Sequence, residues 1–291
     1  MTTIKAFIKK HPVLTYFTLT FAISWGGILL VIGGPAAIPS TAQQSDRLFP
    51  IALMVMLVGP SAAGILLTGL LYRKDGLHAF LSRLLKWRVG ARWYGVALLT
   101  TPLLVMATLF MLSLLSPIFL PDIATTNDKV SLLLTGIAVG LMGGILEELG
   151  WTGFAIPELR RRYGILSTGL IVGILWGVWH FLVTFWGSGD SSGALSLDLL
   201  LPPLLFYVGV LPVYRVLMVW VYDRTGSLLV AMLMHASLTA STVFILSPEA
   251  RGVPLLIYYI ILTAVLWGII TAIAMANRMQ LSRQPLRKQV A

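Results

Sequence analysis

Two glutamates and two histidines lie deep inside long apolar stretches of the sequence: Glu147, Glu148, His180 and His235. The other nine of the 11 acidic residues lie in loops or at the ends of such stretches. Counted from the basic ends of their segments, Glu147, His180 and His235 lie about 20, 23 and 14 Å deep, at about 1.5 Å per residue of helix. An ionisable group at membrane depth costs about 2.5–3.5 kcal/mol. These residues therefore predict a functional site.

The four side chains could carry out hydrolysis. A buried carboxylate can take a proton from water, and an imidazole can orient that water or donate to a leaving group. Another polar group can stabilise the oxyanion that develops on a scissile carbonyl. Alternatively, Glu147, His180 and His235 could bind zinc and leave a fourth position for water, although the sequence contains no HExxH helix. A proton-coupled transporter would also bury Glu and His, but the internal repeats usual in transporters are not detectable.

The composition indicates which elements hold these residues. Hydrophobic residues make up 57% of the 291-residue chain and charged residues 11%, against about 25% in soluble domains, and the mean hydropathy is +0.89. This composition excludes a soluble globular protein and a disordered chain. The absence of cysteine excludes disulfides, thiol nucleophiles and cysteine metal sites. The prediction is an all-α, polytopic integral membrane protein.

Eight stretches are long enough to cross a bilayer as helices, which takes about 20 residues. They run over 13–34, 48–72, 93–120, 130–156, 163–187, 199–222, 226–248 and 252–277. We predict one membrane domain over 1–291, whose core at 130–246 carries the four ionisable residues. Between the second and third stretches, apolar residues at helical spacing over 73–92 predict a short amphipathic helix at the membrane surface.

The charges predict the topology. With eight spans, 17 Lys and Arg residues lie on the side of the termini, three lie in the opposite loops, and Arg215 inside a span completes the 21. The 17 are Lys5, Lys9, Lys10, Arg73, Lys74, Arg83, Lys86, Arg88, Arg92, Arg160, Arg161, Arg162, Arg224, Arg278, Arg283, Arg287 and Lys288. By the positive-inside rule, both termini are cytoplasmic. The net charge of +10 then reflects topology, and no nucleic-acid partner is expected.

Three local sequences resemble the motifs of the CPBP family, which comprises type II CAAX prenyl endopeptidases and bacterial Abi proteins. They are 147–154 (EELGWTGF), 176–180 (WGVWH) and 234–237 (MHAS). The segment 220–225 (WVYDRT) is similar to bacterial members. The resemblance implies an eight-helix intramembrane endopeptidase in the cytoplasmic membrane of a bacterium, with its site open to the cytoplasm. Its substrate would be a peptide or protein with a cleavage site near the bilayer.

Carried over by position, the resemblance gives each residue a role. Glu147 with His180 would activate the water, Glu148 would support the site, and His235 would help to hold the oxyanion. This mechanism requires no cofactor, whereas a metalloprotease with zinc on the same residues is the alternative. A non-catalytic scaffold or immunity protein would keep the same fold.

Two positions depart from the family pattern. The first motif usually reads EExxxR, and the position of its arginine is Thr152; the third usually reads HxxxN, and the position of its asparagine is Thr239. The Thr239 hydroxyl, one helical turn after His235, could still donate a hydrogen bond at the site. Because threonine cannot replace a cation, we predict that Arg215 supplies the countercharge to Glu148. The alternative is that Arg215 extends to the nearby membrane surface.

The remaining conspicuous residues near the motifs are expected to be structural. Trp151, Trp176 and Trp179 are predicted to pack or to anchor helices at the interface. Small residues on the fourth stretch are predicted to allow close helix contact, as small residues commonly do in membranes. These are Gly140, Gly143, Gly144 and Gly150.

Overall fold

The computed structural model describes residues 3–276 and confirms the all-α, eight-span prediction for that part of the chain. Its spans are Pro12–Ile32, Ala42–Leu84, Ala91–Ser113, Lys129–Arg160, Ile165–Trp186, Leu197–Thr225, Leu228–Ile245 and Val253–Ala276. We refer to them as the first to the eighth span. The predicted end of the eighth span at 277 lies outside the described residues, as do Arg278, Arg283, Arg287 and Lys288 of the predicted cytoplasmic set.

Short elements connect the spans. A helix at Thr3–Lys10 precedes the first span, and single turns of helix lie at Pro35–Ala37, Pro117–Phe119 and Asp122–Thr125. The third span ends at Ser113, earlier than predicted, where Pro117 and the residues around it form a turn instead. The residues between 3 and 276 contain no β-strand, only two isolated bridges between loop residues.

The second span includes the predicted amphipathic helix. A capping box at its start, in which the Thr41 hydroxyl accepts from the Gln44 amide and the Gln44 side chain accepts from the Thr41 amide, fixes the first turn. At Arg73 the backbone leaves the helical region (φ 54°, ψ −143°), and a further helical segment runs to Leu84. This kink turns the segment across the end of the bundle, where Phe80 packs against Leu228 and Met232.

Three spans contain a wide turn of π-helix, two of them in the interior and the seventh at its end. These turns lie at Trp151–Ala155 in the fourth span, Phe206–Val210 in the sixth and Ala240–Ile245 in the seventh. The fifth span is interrupted at His180, between Ile165–Trp179 and Phe181–Trp186. Such interruptions inside helices occur often at functional sites, because they redirect side chains without ending the helix. All four interruptions lie next to a motif residue or a residue that contacts one.

Polar contacts join the spans at the end of the bundle that carries the basic loops. The Arg83 guanidinium donates to the Tyr222 hydroxyl at 2.9 Å and to the Gly153 carbonyl at 3.0 Å. Arg160 and Asp223 form an ion pair of 2.6 Å between the fourth and sixth spans. The Arg83 contacts hold the amphipathic segment against the fourth and sixth spans, and the ion pair joins these two spans to each other.

Candidate active site

Glu147 and Glu148 lie in the fourth span, immediately before its π-helical turn. Successive residues on a helix point about 100° apart, so the two carboxylates face different neighbours. Glu148 faces the sixth and seventh spans and is completely buried, whereas Glu147 faces the fifth and seventh spans and is 5% exposed. The predicted deep carboxylate pair therefore divides into two separate environments.

Glu148 is the centre of a buried charged group. One guanidinium nitrogen of Arg215, Nη1, donates to both Glu148 oxygens at 2.8 Å, and His235 Nδ1 lies 2.7 Å from Glu148 Oε1. The countercharge that we predicted for Glu148 is present. The alternative location of Arg215 at the membrane surface is wrong, since its side chain has no exposed surface. A buried carboxylate needs both charge and hydrogen-bond donors, and a residue on another helix can provide them.

The two threonines at the altered motif positions differ in their contacts. The Thr152 hydroxyl, one turn after Glu148, donates to Glu148 Oε2. Thr239 lies one turn after His235 and is half-buried, but its hydroxyl makes no hydrogen bond within the described part of the chain. The structure thus gives Thr152 a direct contact with the charged group, while the supporting role predicted for Thr239 stays a prediction.

Two tryptophans hold Glu147. The indole nitrogens of Trp176 and Trp151 donate to the same carboxylate oxygen, Oε2, at 2.6 and 3.2 Å. Our expectation that these side chains only pack or anchor helices is therefore wrong. Trp179 does pack: its ring is buried against Trp151, with centroids 5.7 Å apart. The sequence contains one signal for the contact between Glu147 and Trp151: a spacing of four residues places both side chains on one helix face.

The second oxygen of Glu147, Oε1, faces His235. It lies 3.7 Å from His235 Nε2, which is too far for a direct hydrogen bond. Gly143, one turn earlier, leaves a space beside both atoms: a Cβ at this position would lie 3.7 Å from Oε1 and 3.8 Å from Nε2. One water molecule could hydrogen-bond to both atoms from that space.

Gly143 thus differs from the other three glycines that we expected to serve helix contact. A Cβ at Gly140 or Gly144 would come within 2.6 or 2.5 Å of a backbone carbonyl of the seventh span, and one at Gly150 would collide with the Pro60 carbonyl of the second. Those three allow close approach of helices, as predicted. Gly143 instead leaves room next to the two reactive groups, and this position in the site was not predicted.

His180 lies at the interruption of the fifth span. Its Nδ1 is 2.8 Å from the Trp176 carbonyl oxygen, and its ring stacks on Tyr207 with centroids 4.3 Å apart and an angle of 10° between planes. A carbonyl oxygen only accepts hydrogen bonds, so Nδ1 is the protonated nitrogen and Nε2 of a neutral ring is left as an acceptor. Within the described residues His180 makes no hydrogen bond to either glutamate; Trp176 contacts both His180 and Glu147.

Trp176 also connects the two carboxylate environments. The Arg215 guanidinium lies over its ring, 4.0 Å from the centroid, and the His235 ring lies 4.9 Å from it. Arg215 Nε and Nη2 are buried and have no hydrogen-bond partner among the described residues, so the indole face is their principal contact. A single guanidinium therefore pairs with Glu148 and also packs on the side chain that holds Glu147.

The predicted zinc ligands do not fit a metal as they are placed. In the described residues, no group of three or more His, Asp or Glu side chains is arranged to hold an ion. One nitrogen of His180 and one oxygen of Glu147 are engaged by hydrogen bonds to protein groups, and His235 Nδ1 is engaged by Glu148. We therefore derive no step through a metal, and the zinc alternative stays untested.

Eight apolar helices around buried acidic, basic and imidazole groups define a multi-pass membrane protein with a candidate hydrolytic site. Residues 129–241, which span the fourth to the seventh helices, match the family described as type II CAAX prenyl endopeptidase Rce1-like. The chain is also similar to the CAAX prenyl protease 2 of Methanococcus maripaludis, with 25% identity over 242 residues. That similarity covers 78% of this chain and 82% of the relative.

The resemblance found in the three motifs is confirmed: over residues 129–241 the chain is similar to the Rce1-like family of CAAX-type proteases. The chain is accordingly a protease. These matches do not address the similarity to Abi proteins, which stays a prediction, or the zinc-dependent alternative, which stays untested. The matched residues include all four ionisable side chains of the site.

Proposed function

We propose that this protein hydrolyses peptide bonds with a water molecule activated by Glu147. The observation that supports this proposal is the pair of facing atoms, Glu147 Oε1 and His235 Nε2, 3.7 Å apart beside the space at Gly143. Because Oε2 is held by two indole donors, Oε1 is the oxygen that can accept a proton. The carboxylate is thereby fixed in position for general-base catalysis.

The reaction then follows from the chemistry of these groups. The water oxygen attacks the scissile carbonyl as its proton passes to Glu147, and the carbonyl oxygen becomes an oxyanion. Glu147 returns the proton to the leaving amine as the C–N bond breaks, so protons balance over the cycle. His180 assists through Nε2, its acceptor nitrogen, by accepting a hydrogen bond from the attacking water.

His235 stabilises the oxyanion. The buried group contains two carboxylates, Glu147 and Glu148, and one guanidinium, Arg215, so a protonated His235 would make its net charge zero. In that form Nδ1 donates to Glu148 and Nε2 donates toward the reacting carbonyl. A donor held in place by a buried ion pair can stabilise a developing negative charge strongly in a site that excludes water.

We further propose that the protein lies in a cell membrane with its basic end toward the cytoplasm. Large apolar side chains are exposed on the outside of the helices, for example Leu30 at 86% and Phe110 at 63%, as expected for contact with lipid. Seventeen basic residues lie on the side of the termini and three in the opposite loops. This asymmetry supports cytoplasmic termini and a site that opens to the cytoplasm. Peptide or protein segments near the membrane surface are then the substrates.

Cleavage by protein reconstituted in liposomes tests this proposal. The peptide library should contain prenylated and unmodified C-terminal CAAX peptides, since the relative is named a CAAX prenyl protease. We expect Glu147→Gln to reduce kcat by about 10²- to 10⁴-fold, the usual contribution of a general base. Glu249→Gln, in the loop before the eighth span, is the matched control and should keep activity.

The same assay distinguishes the alternatives. Cleavage that continues in a strong zinc chelator supports the Glu147 mechanism, whereas loss under chelation with recovery on added zinc contradicts it and favours a metalloprotease. Folded wild-type protein that cleaves no peptide would contradict proteolysis. Solute or proton uptake by the same liposomes would then indicate a transporter, and its absence a scaffold.

A further inference from the structure

The π-helical turn at Trp151–Ala155 contains a backbone carbonyl that lacks its regular helical donor. In an α-helix the carbonyl of Gly153 would accept from the amide four residues later. That residue is Pro157, which has no N–H and lies in the helical segment Ile156–Arg160 that follows the turn. Gly153 is buried. A buried carbonyl in this position requires a donor from elsewhere in the fold.

Arg83, in the amphipathic segment of the second span, supplies this donor. Its Nη2 donates to the Gly153 carbonyl at 3.0 Å. Its Nη1 donates to the Tyr222 hydroxyl at 2.9 Å, and its Nε donates to the Ala79 carbonyl of its own helix at 3.2 Å. Because all three guanidinium nitrogens are engaged, the planar group is fixed in one orientation. Its hydrogen bond to the turn comes from a charged donor and is therefore stronger than one between neutral groups.

The packing around Gly153 brings the guanidinium to the carbonyl. A Cβ at Gly153 would lie 2.5 Å from a ring carbon of Phe80, so the ring rests directly on the backbone of the turn. Phe80 is buried, and the Arg83 guanidinium lies 5.7 Å from its ring centroid. The glycine in the turn and the phenylalanine in the amphipathic segment therefore set the close approach that the hydrogen bond requires.

The turn that Arg83 contacts carries donors to both carboxylates of the candidate active site. Trp151 donates its indole N–H to Glu147 at 3.2 Å, and Thr152 donates its hydroxyl to Glu148. Both donors belong to the turn whose carbonyl Arg83 binds. A displacement of this turn would therefore move both donors relative to the carboxylates, although Arg83 itself makes no hydrogen bond to either carboxylate in the described part of the chain.

We infer that Arg83 is a positioning residue for the reaction: it holds the π-helical turn in the conformation that presents Trp151 and Thr152 to the two glutamates. Its effect on catalysis rests on the proposed function, whereas its contact with the turn does not. The inference also makes the site depend on the second span, which lies outside the residues 129–241 that match the protease family.

Peptide-cleavage kinetics and hydrogen–deuterium exchange of the full chain in detergent test this role. Arg83→Met keeps an unbranched side chain but removes the donors. We expect its kcat to fall about tenfold with KM within twofold of wild type, and the amides of residues 147–160 to exchange about tenfold faster, as for loss of a hydrogen bond from a charged group. Arg83→Lys has a single ammonium in place of the three-way fork, so both effects should shrink to about threefold.

Tyr222→Phe is the matched control, because it removes another partner of the same guanidinium and leaves the bond to the Gly153 carbonyl. It should keep kcat within twofold and leave exchange of 147–160 unchanged. Equal losses in Arg83→Met and Tyr222→Phe, or a loss that Arg83→Lys does not reduce, would show that Arg83 only braces the helices and would overturn the inference. If thermal unfolding shows Arg83→Met to be unstable, Arg83→Lys decides, and exchange as slow as in Tyr222→Phe then contradicts the role.

The two measurements separate this inference from the proposed cleavage reaction. If the folded wild type cleaves no peptide while Arg83→Met still speeds exchange at 147–160, the proposed proteolysis is contradicted and the hold of Arg83 on the turn is supported. If the wild type cleaves and Arg83→Met keeps its kcat, the positioning role is contradicted and the proteolysis is supported.

Discussion

Replacing Gly143 by alanine places a methyl group where we propose that the reactive water binds. Glu147 Oε1 and His235 Nε2 are 3.7 Å apart, so a water about 2.8 Å from each lies about 2.1 Å from their midpoint. The methyl carbon, at 3.7 and 3.8 Å from the two atoms, lies about 3.3 Å from the midpoint on the Gly143 side. On that side water and methyl would be only about 1–2 Å apart, well inside van der Waals contact.

The same substitution should leave the fold intact. Outside its chain neighbours and its own helix backbone, the new carbon meets only those two atoms within 4 Å, both at ordinary contact distances. Alanine also favours a helix interior over glycine by about 0.5–1 kcal/mol. We therefore expect unchanged or slightly higher thermal stability together with a loss of kcat of about 100-fold, the effect expected when a reacting group is displaced by about 1 Å.

The assay is kcat and KM for the best peptide, measured together with thermal unfolding of the same preparation. Gly268→Ala is the control, because it makes the same change inside the eighth span with no atom within 4 Å of the new carbon. A Gly143→Ala enzyme within threefold of wild-type activity would refute the proposed water position. A fall in unfolding temperature that accompanies the loss of activity would show instead that Gly143 serves packing.

Three further substitutions test the contacts around this water. Trp176→Phe removes the 2.6 Å hydrogen bond to Glu147 and should lower kcat about 10- to 100-fold, as for loss of a bond to a charged group; unchanged kcat would refute the positioning role. Arg215→Gln leaves a buried carboxylate unpaired and should lower the free energy of unfolding by about 3–5 kcal/mol, with a smaller loss for Arg215→Lys; equal stability of all three proteins in a denaturant titration would contradict the pairing. Tyr207→Leu removes the ring stacked on His180 and should lower kcat about three- to tenfold, whereas Tyr207→Phe should keep it; equal effects of both would point to the hydroxyl.

The fold could be predicted from the sequence because the bilayer imposes simple rules. Apolar length alone gave the eight spans, and the amphipathic helix followed from the spacing of its leucines. The ends of spans were less predictable. The second span starts at Ala42 because of a capping box, and the third stops at Ser113 before a turn; both depend on local hydrogen bonds and not on hydropathy.

The members of the site were predictable for a related reason. Charge inside a membrane is expensive, so Glu147, Glu148, His180, His235 and the otherwise unexplained Arg215 stood out against an apolar background. Uncharged members did not stand out in the same way. Tryptophan and glycine are common in membrane helices, and only the three-dimensional arrangement distinguishes a tryptophan that donates to a carboxylate from one that packs.

Which imidazole contacts the carboxylates also required the structure. By depth along the helices, His180 lies nearer to Glu147 than His235 does. Depth, however, measures position along one axis only. In three dimensions His235 contacts both glutamates, whereas His180 is turned toward Tyr207 by the interruption of its own span. Depth alone cannot give the rotation and packing of helices.

The altered first motif shows why a site can survive the loss of one of its residues. What Glu148 requires is a positive charge and enough donors to replace water, and neither requirement fixes where in the chain they originate. Thr152 supplies a donor from the original position, and Arg215 supplies the charge from the sixth span. Because Arg215 also lies on Trp176, its position links the charge balance at Glu148 to the orientation of Glu147. Substitutions at Arg215 should therefore affect both carboxylates, although only one of them touches the guanidinium.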